Sequence, residues 1–335
     1  MKKFIYLILA CAFLASCKSG KFPSVDEITT QQDLKLSLGS KSIFYNGSSV
    51  SSAILDKALP YGNNELIFVS FREKSVYITD FSLNVKRKIY LLNQFKKVFD
   101  DRISDVYINK DTLYFTGNSL AIKKLSLKNE KVETINLKGM IYFSPSNYMS
   151  FTSSGNYVFT YNCFQNVAKD KIKAGDYVVG SMFSPTGNIV NYITVDKDVF
   201  EHDAIGKDKA LYSEFSGKHY IYFEMEKNFL VLDSLNNKTG VKTFYVNKDW
   251  EKPQLKNKQL AAYMVNTQNL IEYNGGFIHW PPPGNFEKKG RIIIYDKDFQ
   301  PVKKVYLPEL AKISFYSYFV CGNKLIVFSG NRNGD

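Results

Sequence analysis

The side chains best suited to proton transfer and soft-metal binding near neutral pH are scarce in this chain: it holds 3 histidines and 4 cysteines among 335 residues. The most distinctive setting is that of His279, which is followed by Trp280, Pro281, Pro282, Pro283, Gly284, Asn285 and Phe286, with Tyr273 just upstream. Prolines cannot pair in a sheet, so they should end the preceding strand at Trp280. A stiff loop presenting an aromatic ring loses little entropy on engagement. Tyr273, His279, Trp280, Asn285 and Phe286 are therefore the candidate binding residues. A plainer role competes: His279 bonding to a neighbouring segment while Trp280 caps the core.

The other chemical candidates are weaker. Glu201-His202-Asp203, with Asp196 and Asp198 before it, offers oxygens and one imidazole. Adjacent residues of a strand point to opposite faces, however, and the spacing is not that of a calcium loop. There is no CxxC or zinc spacing and no Gly-x-Ser-x-Gly elbow. No metal, cofactor or catalytic residue is assigned, and a non-enzymatic role is favoured. Arginine is scarce beside lysine, so Arg72, Arg102 and Arg291 stand out as fixed carboxylate partners, ordinary salt bridges being the plainer use.

One cysteine has a role of its own. Lys2 and Lys3, the apolar run Phe4 to Phe13 and Leu14-Ala15-Ser16-Cys17 form a leader too short for a permanent membrane span. Leu-Ala-Ser-Cys resembles the lipobox of bacterial lipoproteins. That resemblance implies cleavage before Cys17 and lipid on its thiol, with enough acyl chains for stable attachment. Residues 1–16 are then a signal peptide, 17–33 a tether and 34–335 the folded domain. Loss of the leader leaves 42 Lys and Arg against 32 Asp and Glu, a net charge of +10. The positive charge is spread in doublets such as Lys96-Lys97 and Lys303-Lys304, which suits a solvated surface, anionic headgroups or anionic glycans rather than nucleic acid. Cys163 and Cys321 are read as two separate thiols.

The elements that must position these residues emerge from internal repetition. Six turn signals each precede a short apolar run: Leu66 to Val69, Leu113 to Thr116, Tyr157 to Thr160, Tyr220 to Phe223, Phe277 to Trp280 and Leu325 to Phe328. A second strand follows in four units, at Val76 to Phe81, Ile122 to Leu127, Phe229 to Asp233 and Ile292 to Asp296. In the third unit Ile189 to Asp196 is its expected counterpart, delayed by an insertion from about Asn162 to Gly187 that reads as either a binding loop or decoration. Further strands are expected at Lys86 to Leu91, Val132 to Leu137, Val241 to Val246 and Val302 to Leu307.

Units of this size, aromatic-rich and without helical periodicity, predict an all-β fold: a six-bladed β-propeller of four-stranded antiparallel blades. A seven-bladed ring and a two-domain sandwich are the rivals. The last unit supplies only Phe315 to Cys321 and Leu325 to Ser329, so Leu34 to Leu38 and Ile43 to Tyr45 are expected to complete it. The mature chain resembles the six-bladed propeller lipoproteins of Bacteroidetes, a group related to TolB-like and NHL-like propellers. The basic Lys18-Ser19-Gly20-Lys21 after the lipid cysteine points to the periplasmic side of the outer membrane. The expected function is a monomeric cell-envelope binding or scaffold module. Its expected partners are membrane lipid through Cys17 and an envelope protein or glycan. The alternative is a hydrolase or lyase acting on a glycan or peptide through channel-lining acids.

Overall fold

In a strand, successive side chains point to opposite faces, so a strand buried on both sides is apolar throughout. Glu65–Ser70 is such a strand: Leu66, Ile67, Phe68 and Val69 are all buried. Ile67 and Val69 enter one cluster of buried residues while Leu66 and Phe68 enter another. A sheet that buries both faces needs a neighbour on each side, and radial packing of sheets provides it.

The computed structural model describes residues 31–33, 43–45, 48–50, 56–91, 103–117, 119–139, 148–165, 177–195, 210–215, 217–223, 228–234, 237–243, 271–273, 276–279, 291–297, 301–306, 316–321 and 324–329. Its strands are β1 (Gln31–Asp33), β2 (Ile43–Tyr45), β3 (Ser48–Val50), β4 (Lys57–Tyr61), β5 (Glu65–Ser70), β6 (Ser75–Asp80), β7 (Val85–Tyr90), β8 (Ile103–Asn109), β9 (Thr112–Gly117), β10 (Ala121–Ser126), β11 (Val132–Asn136), β12 (Tyr148–Phe151) and β13 (Tyr157–Gln165). They continue as β14 (Tyr177–Phe183), β15 (Ile189–Val195), β16 (Ala210–Phe215), β17 (Lys218–Phe223), β18 (Asn228–Ser234), β19 (Asn237–Thr243), β20 (Ile271–Tyr273), β21 (Gly276–His279), β22 (Arg291–Tyr295), β23 (Pro301–Tyr306), β24 (Tyr316–Cys321) and β25 (Lys324–Ser329). Five antiparallel four-stranded blades result: β4–β7, β8–β11, β12–β15, β16–β19 and β20–β23.

The buried clusters lie between blades. Ile67, Val76 and Ile78 of blade one meet Val106, Leu113, Phe115 and Leu125 of blade two. Tyr114 and Ile122 of blade two meet Met149, Phe159 and Phe183 of blade three. Val158, Val179 and Ile193 of blade three meet Tyr212 and Ile221 of blade four, and Phe215 and Tyr220 of blade four pack on Phe277 of blade five. The first strand of each sheet lies innermost: β24 neighbours β4, β4 neighbours β8, β8 neighbours β12, β12 neighbours β16, and β20 neighbours β24. The fold is a β-propeller.

Two expectations are corrected. Among the described residues there are five four-stranded blades, not six. The two-stranded hairpin β24–β25 stands between blades five and one, with Ile326 packed against the Leu66, Phe68 and Tyr77 cluster of blade one. Among the described residues, no N-terminal strand pairs with that hairpin. β1 pairs in parallel with β23, the outer edge of blade five, and β2 pairs with β3 beside β7. An outer edge exposes unpaired N–H and C=O groups, and β1 covers part of that edge. Leu34 to Leu38 lie outside the described residues.

The second correction concerns the third unit. The counterpart strand is Tyr177–Phe183 within the expected insertion, and Ile189–Val195 is the fourth strand of the blade. Gly180 breaks the apolar run of β14 because the backbone needs the space: a Cβ there would lie 2.6 Å from the Phe159 carbonyl oxygen.

Candidate functional site

Antiparallel pairing gives the ring two unlike ends. At one, the connections 62–64, 81–84, 110–111, 127–131, 152–156, 184–188, 216–217, 235–236, 274–275, 296–300 and 322–323 are all two to five residues long, while at the other only 71–74, 118–120 and 224–227 are that short. Every longer connection leaves from the other end: 91–102, 137–147, 166–176, 196–209, 244–270, 280–290 and 307–315. The strands thus sort the chain into a tight-turn end and a long-connection end.

His279 is the last residue of β21, opposite Ile293 of β22, and so stands at the long-connection end. Tyr273 closes β20 opposite Gly276, at the tight-turn end of the same hairpin. The two are therefore not brought together. A strand rises about 3.3 Å per residue, so the three steps from Gly276 to His279 separate the levels of Tyr273 and His279 by about 10 Å. Gly276 permits the close pairing here, since a Cβ would lie 2.0 Å from the Tyr295 carbonyl oxygen. Trp280, Asn285 and Phe286 lie outside the described residues, as do Cys17, the Glu201-His202-Asp203 segment and Arg102. Cys163 falls in β13 and Cys321 in β24, strands of different sheets.

Sequence reasoning did not single out a polar cluster on blade four. Tyr212 and Glu214 share a face of β16 by their two-residue spacing, and Glu214 pairs across the ladder with His219 of β17. The Tyr212 hydroxyl lies 2.6 Å from His219 Nδ1 and donates to Glu214 Oε2 at 3.3 Å. The Ser153 backbone N–H, from the β12–β13 turn of blade three, donates to the same Oε2 at 2.8 Å. With the imidazole proton on Nδ1, the chain His219 to Tyr212 to Glu214 satisfies each donor in sequence. Burial, and then the Glu214 charge, raise the Tyr212 phenol far above its ordinary value. Burial lowers the His219 pKa and outweighs the opposing pull of Glu214. The signal was Tyr-x-Glu followed by a two-residue turn and His, visible only once the hairpin register is known. Chemically this is a fixed, proton-ordered brace at the tight-turn end of the blade three–four seam.

A second cluster lies in the long-connection half of the inner strands. Lys57 of β4 donates to Asp105 of β8 at 2.8 Å and sits 5.6 Å from the centre of the Tyr107 ring. Tyr107 meets Tyr148 of β12 edge-on at 5.7 Å. Burial, then the Asp105 charge, hold the Tyr107 phenol protonated well above its usual range. Three consecutive blades are thereby tied across their innermost strands.

No family model matches the chain, and no curated protein matches it. Among solved structures, a member of the DUF4221 family from Bacteroides vulgatus is similar at 13% identity, covering 82% of this chain and 89% of that one, with a TM-score of 0.52. A protein of unknown function from Bacteroides caccae is similar at 12% identity over 74% of this chain and 80% of that one, TM-score 0.45. A streptogramin B lyase is similar at 13% identity over 82% and 84%, TM-score 0.44. At these identities the likeness is one of fold. The chain shares its overall fold with the DUF4221 family member.

Proposed function

We propose that this chain is a cell-envelope recognition module, held to the membrane by lipid on Cys17, whose partner meets the long-connection end of the ring. The observation that carries this reading is the sorting of connections. All the long ones, including 280–290 with Trp280 and the proline run, leave from one end of a scaffold whose other end is closed by short turns. Binding residues concentrate on loops held by a rigid frame. A six-position ring, with β24–β25 in the sixth place, is part of the reading, as is export to the periplasmic side of the outer membrane. Asp105 and Glu214, carboxylates of the inner strands, are already engaged with Lys57 and with Ser153 and Tyr212, which suits a frame better than a hydrolytic pair.

The test is photo-crosslinking in the living envelope. A photoreactive residue at position 280 or 285 should yield a discrete adduct with a protein or glycan, and one at Asn63 or Asn129 in the tight turns should not. Adducts only from the tight-turn positions would refute the reading. Turnover of a defined glycan or peptide by the purified chain would favour the hydrolase or lyase alternative instead.

A further inference from the structure

Arginine's planar fork suits a carboxylate, and Arg87 holds one, Glu130, at 2.6 Å. Arg72 does not: no carboxylate among the described residues pairs with it. It stands exposed in the 71–74 turn between β5 and β6, at the long-connection end of blade one. Lys74 of the same turn is exposed as well, in the left-handed backbone region at φ 52°. The Lys74 carbonyl accepts the Leu91 N–H at 2.8 Å, which sets the turn against the end of β7.

β7 ends in Tyr90, opposite Ser75. Tyr90 is 54% exposed, and among the residues whose burial is described it is the one exposed aromatic ring. Single exposed apolar residues are ordinary, and Leu120, Val190 and Val302 call for no further account. Tyr90 differs because it is held in place. Lys88, two residues earlier on the same face of β7, places its Nζ 4.6 Å from the centre of the Tyr90 ring and 4.7 Å from that of Tyr77. The Lys88 side chain is only 11% exposed, and Glu73 lies 3.8 Å from its Nζ. Cation–π attraction to a packed ammonium keeps the Tyr90 ring from swinging freely.

We infer that Tyr90, Arg72 and Lys74 form a subsite for an acidic sugar, a pyranose ring bearing a carboxylate. The inference rests on the reading that a partner meets the long-connection end, and it makes that partner a glycan at this corner. A pyranose has an apolar C–H face that leaves water by lying on an aromatic plane. Its carboxylate can accept two parallel N–H bonds from the Arg72 fork, with Lys74 as a second cation. Glu73 does not compete for Arg72, since its carboxylate meets Lys88 and accepts the Tyr77 hydroxyl. A net charge of +12 draws acidic polymers toward the chain. A protein partner would anchor a side chain in a desolvated pocket, whereas a sugar ring needs only the plane that Tyr90 presents.

The test is calorimetric titration of the full lipidated chain in detergent micelles with short oligomers of galacturonic, glucuronic and mannuronic acid. At least one should bind. Its methyl ester keeps the rings without the charge, and polyglutamate keeps carboxylates without the rings; each should bind at least about tenfold more weakly. Tyr90→Ala and Arg72→Gln should each weaken uronate binding about tenfold, while Tyr90→Phe, which keeps the ring, should bind as the parent does. The changed side chains are exposed, and circular dichroism checks that each variant folds. Binding of none of the three uronates overturns the inference, as does binding that Tyr90→Ala and Arg72→Gln leave unchanged. Equally tight binding of polyglutamate overturns it in favour of an acidic peptide. A discrete photo-adduct from position 280 or 285 without uronate binding would strike this subsite alone. Uronate binding lost in Tyr90→Ala, with adducts only from the tight turns, would strike the broader reading and leave the subsite.

Discussion

His219 shows how far a residue's chemistry depends on its cross-strand neighbours. Its imidazole is held neutral by burial, against the attraction of Glu214. The sign for stability follows from linkage. The unfolded chain takes up a proton near the ordinary value of 6.5 while the folded chain resists, so stability is full above that value and falls as pH drops toward the folded pKa. His219→Gln should flatten the dependence of the urea midpoint on pH between about 7 and 5. An unchanged slope would show that the brace does not titrate with folding. Glu214→Ala tests the acceptor. It removes the acceptor of the exposed Ser153 N–H and of the Tyr212 hydroxyl, which keeps His219 as a partner, with an expected loss of about 1 kcal/mol at neutral pH. Gly187 is a third residue set by its surroundings. Its φ is +85°, and a Cβ would lie 2.2 Å from the Asn136 carbonyl oxygen of blade two. Its own carbonyl accepts the Lys138 N–H at 2.9 Å. Gly187→Ala should cost at least about 1–3 kcal/mol in chemical unfolding, through backbone strain and steric overlap together.

At the scale of the element, the legible strands were those buried on both faces. All six repeated runs fall in the second strand of their unit, because an apolar stretch bounded by turn residues is what that position requires. Of the run at Phe277, the described strand holds Phe277 to His279, and Trp280 lies outside the described residues. Turns were legible in part, Ser154-Gly155-Asn156 being read as one while Ser184 to Gly187 was taken for the end of the insertion. Thr152 to Asn156 and Ser184 to Asn188 are the same device, each with a hydroxyl accepting the Asn N–H and a glycine at positive φ. Asp80 likewise accepts from the Ser82 and Asn84 backbones at the expected Asp-Phe-Ser-Leu-Asn tip. The inner strands other than β24 escaped notice: Lys57, Asp105 and Glu214 interrupt their apolar pattern, and what they pair with lies about fifty to sixty residues away along the chain. The candidate site was legible only as a loop composition, since register, which parts Tyr273 from His279, is not written in either segment alone. Outer strands are polar and tied by charge. Arg87 of β7 donates to the Leu127 carbonyl and to Glu130 of the next blade, both at 2.6 Å. The ion pair is partly solvated, so Arg87→Ala should lower stability by roughly 1 kcal/mol or less from the pair itself, and added salt should shrink the effect. A salt-independent loss in denaturant titrations would assign the cost to the carbonyl bond instead.

For the whole molecule, the decisive fact is that the buried clusters lie at seams. Blade three has no core of its own: Phe159 faces blade two while Val158, its neighbour in β13, faces blade four. A blade released from the ring would expose both apolar faces, so each blade's stability is a property of its neighbours. The hairpin β24–β25 carries the same logic between blades five and one, where Ile326 of β25 packs against the Leu66, Phe68 and Tyr77 cluster of blade one. Such a ring should unfold as a unit rather than blade by blade. Phe159→Ala removes a side chain that is 2% exposed, stacked edge-on against Phe183 at 5.9 Å. The expected cost is about 3–5 kcal/mol. Circular dichroism, which reports all strands, and the fluorescence of Trp280, which follows β21 of blade five in sequence, read in a Trp250→Phe background that removes the other tryptophan, should shift to lower urea together and by the same amount. Were the dichroism to shift in part while the Trp280 transition held its midpoint, blades two and three would be unfolding by themselves, and the account of a ring stabilised through its seams would fail.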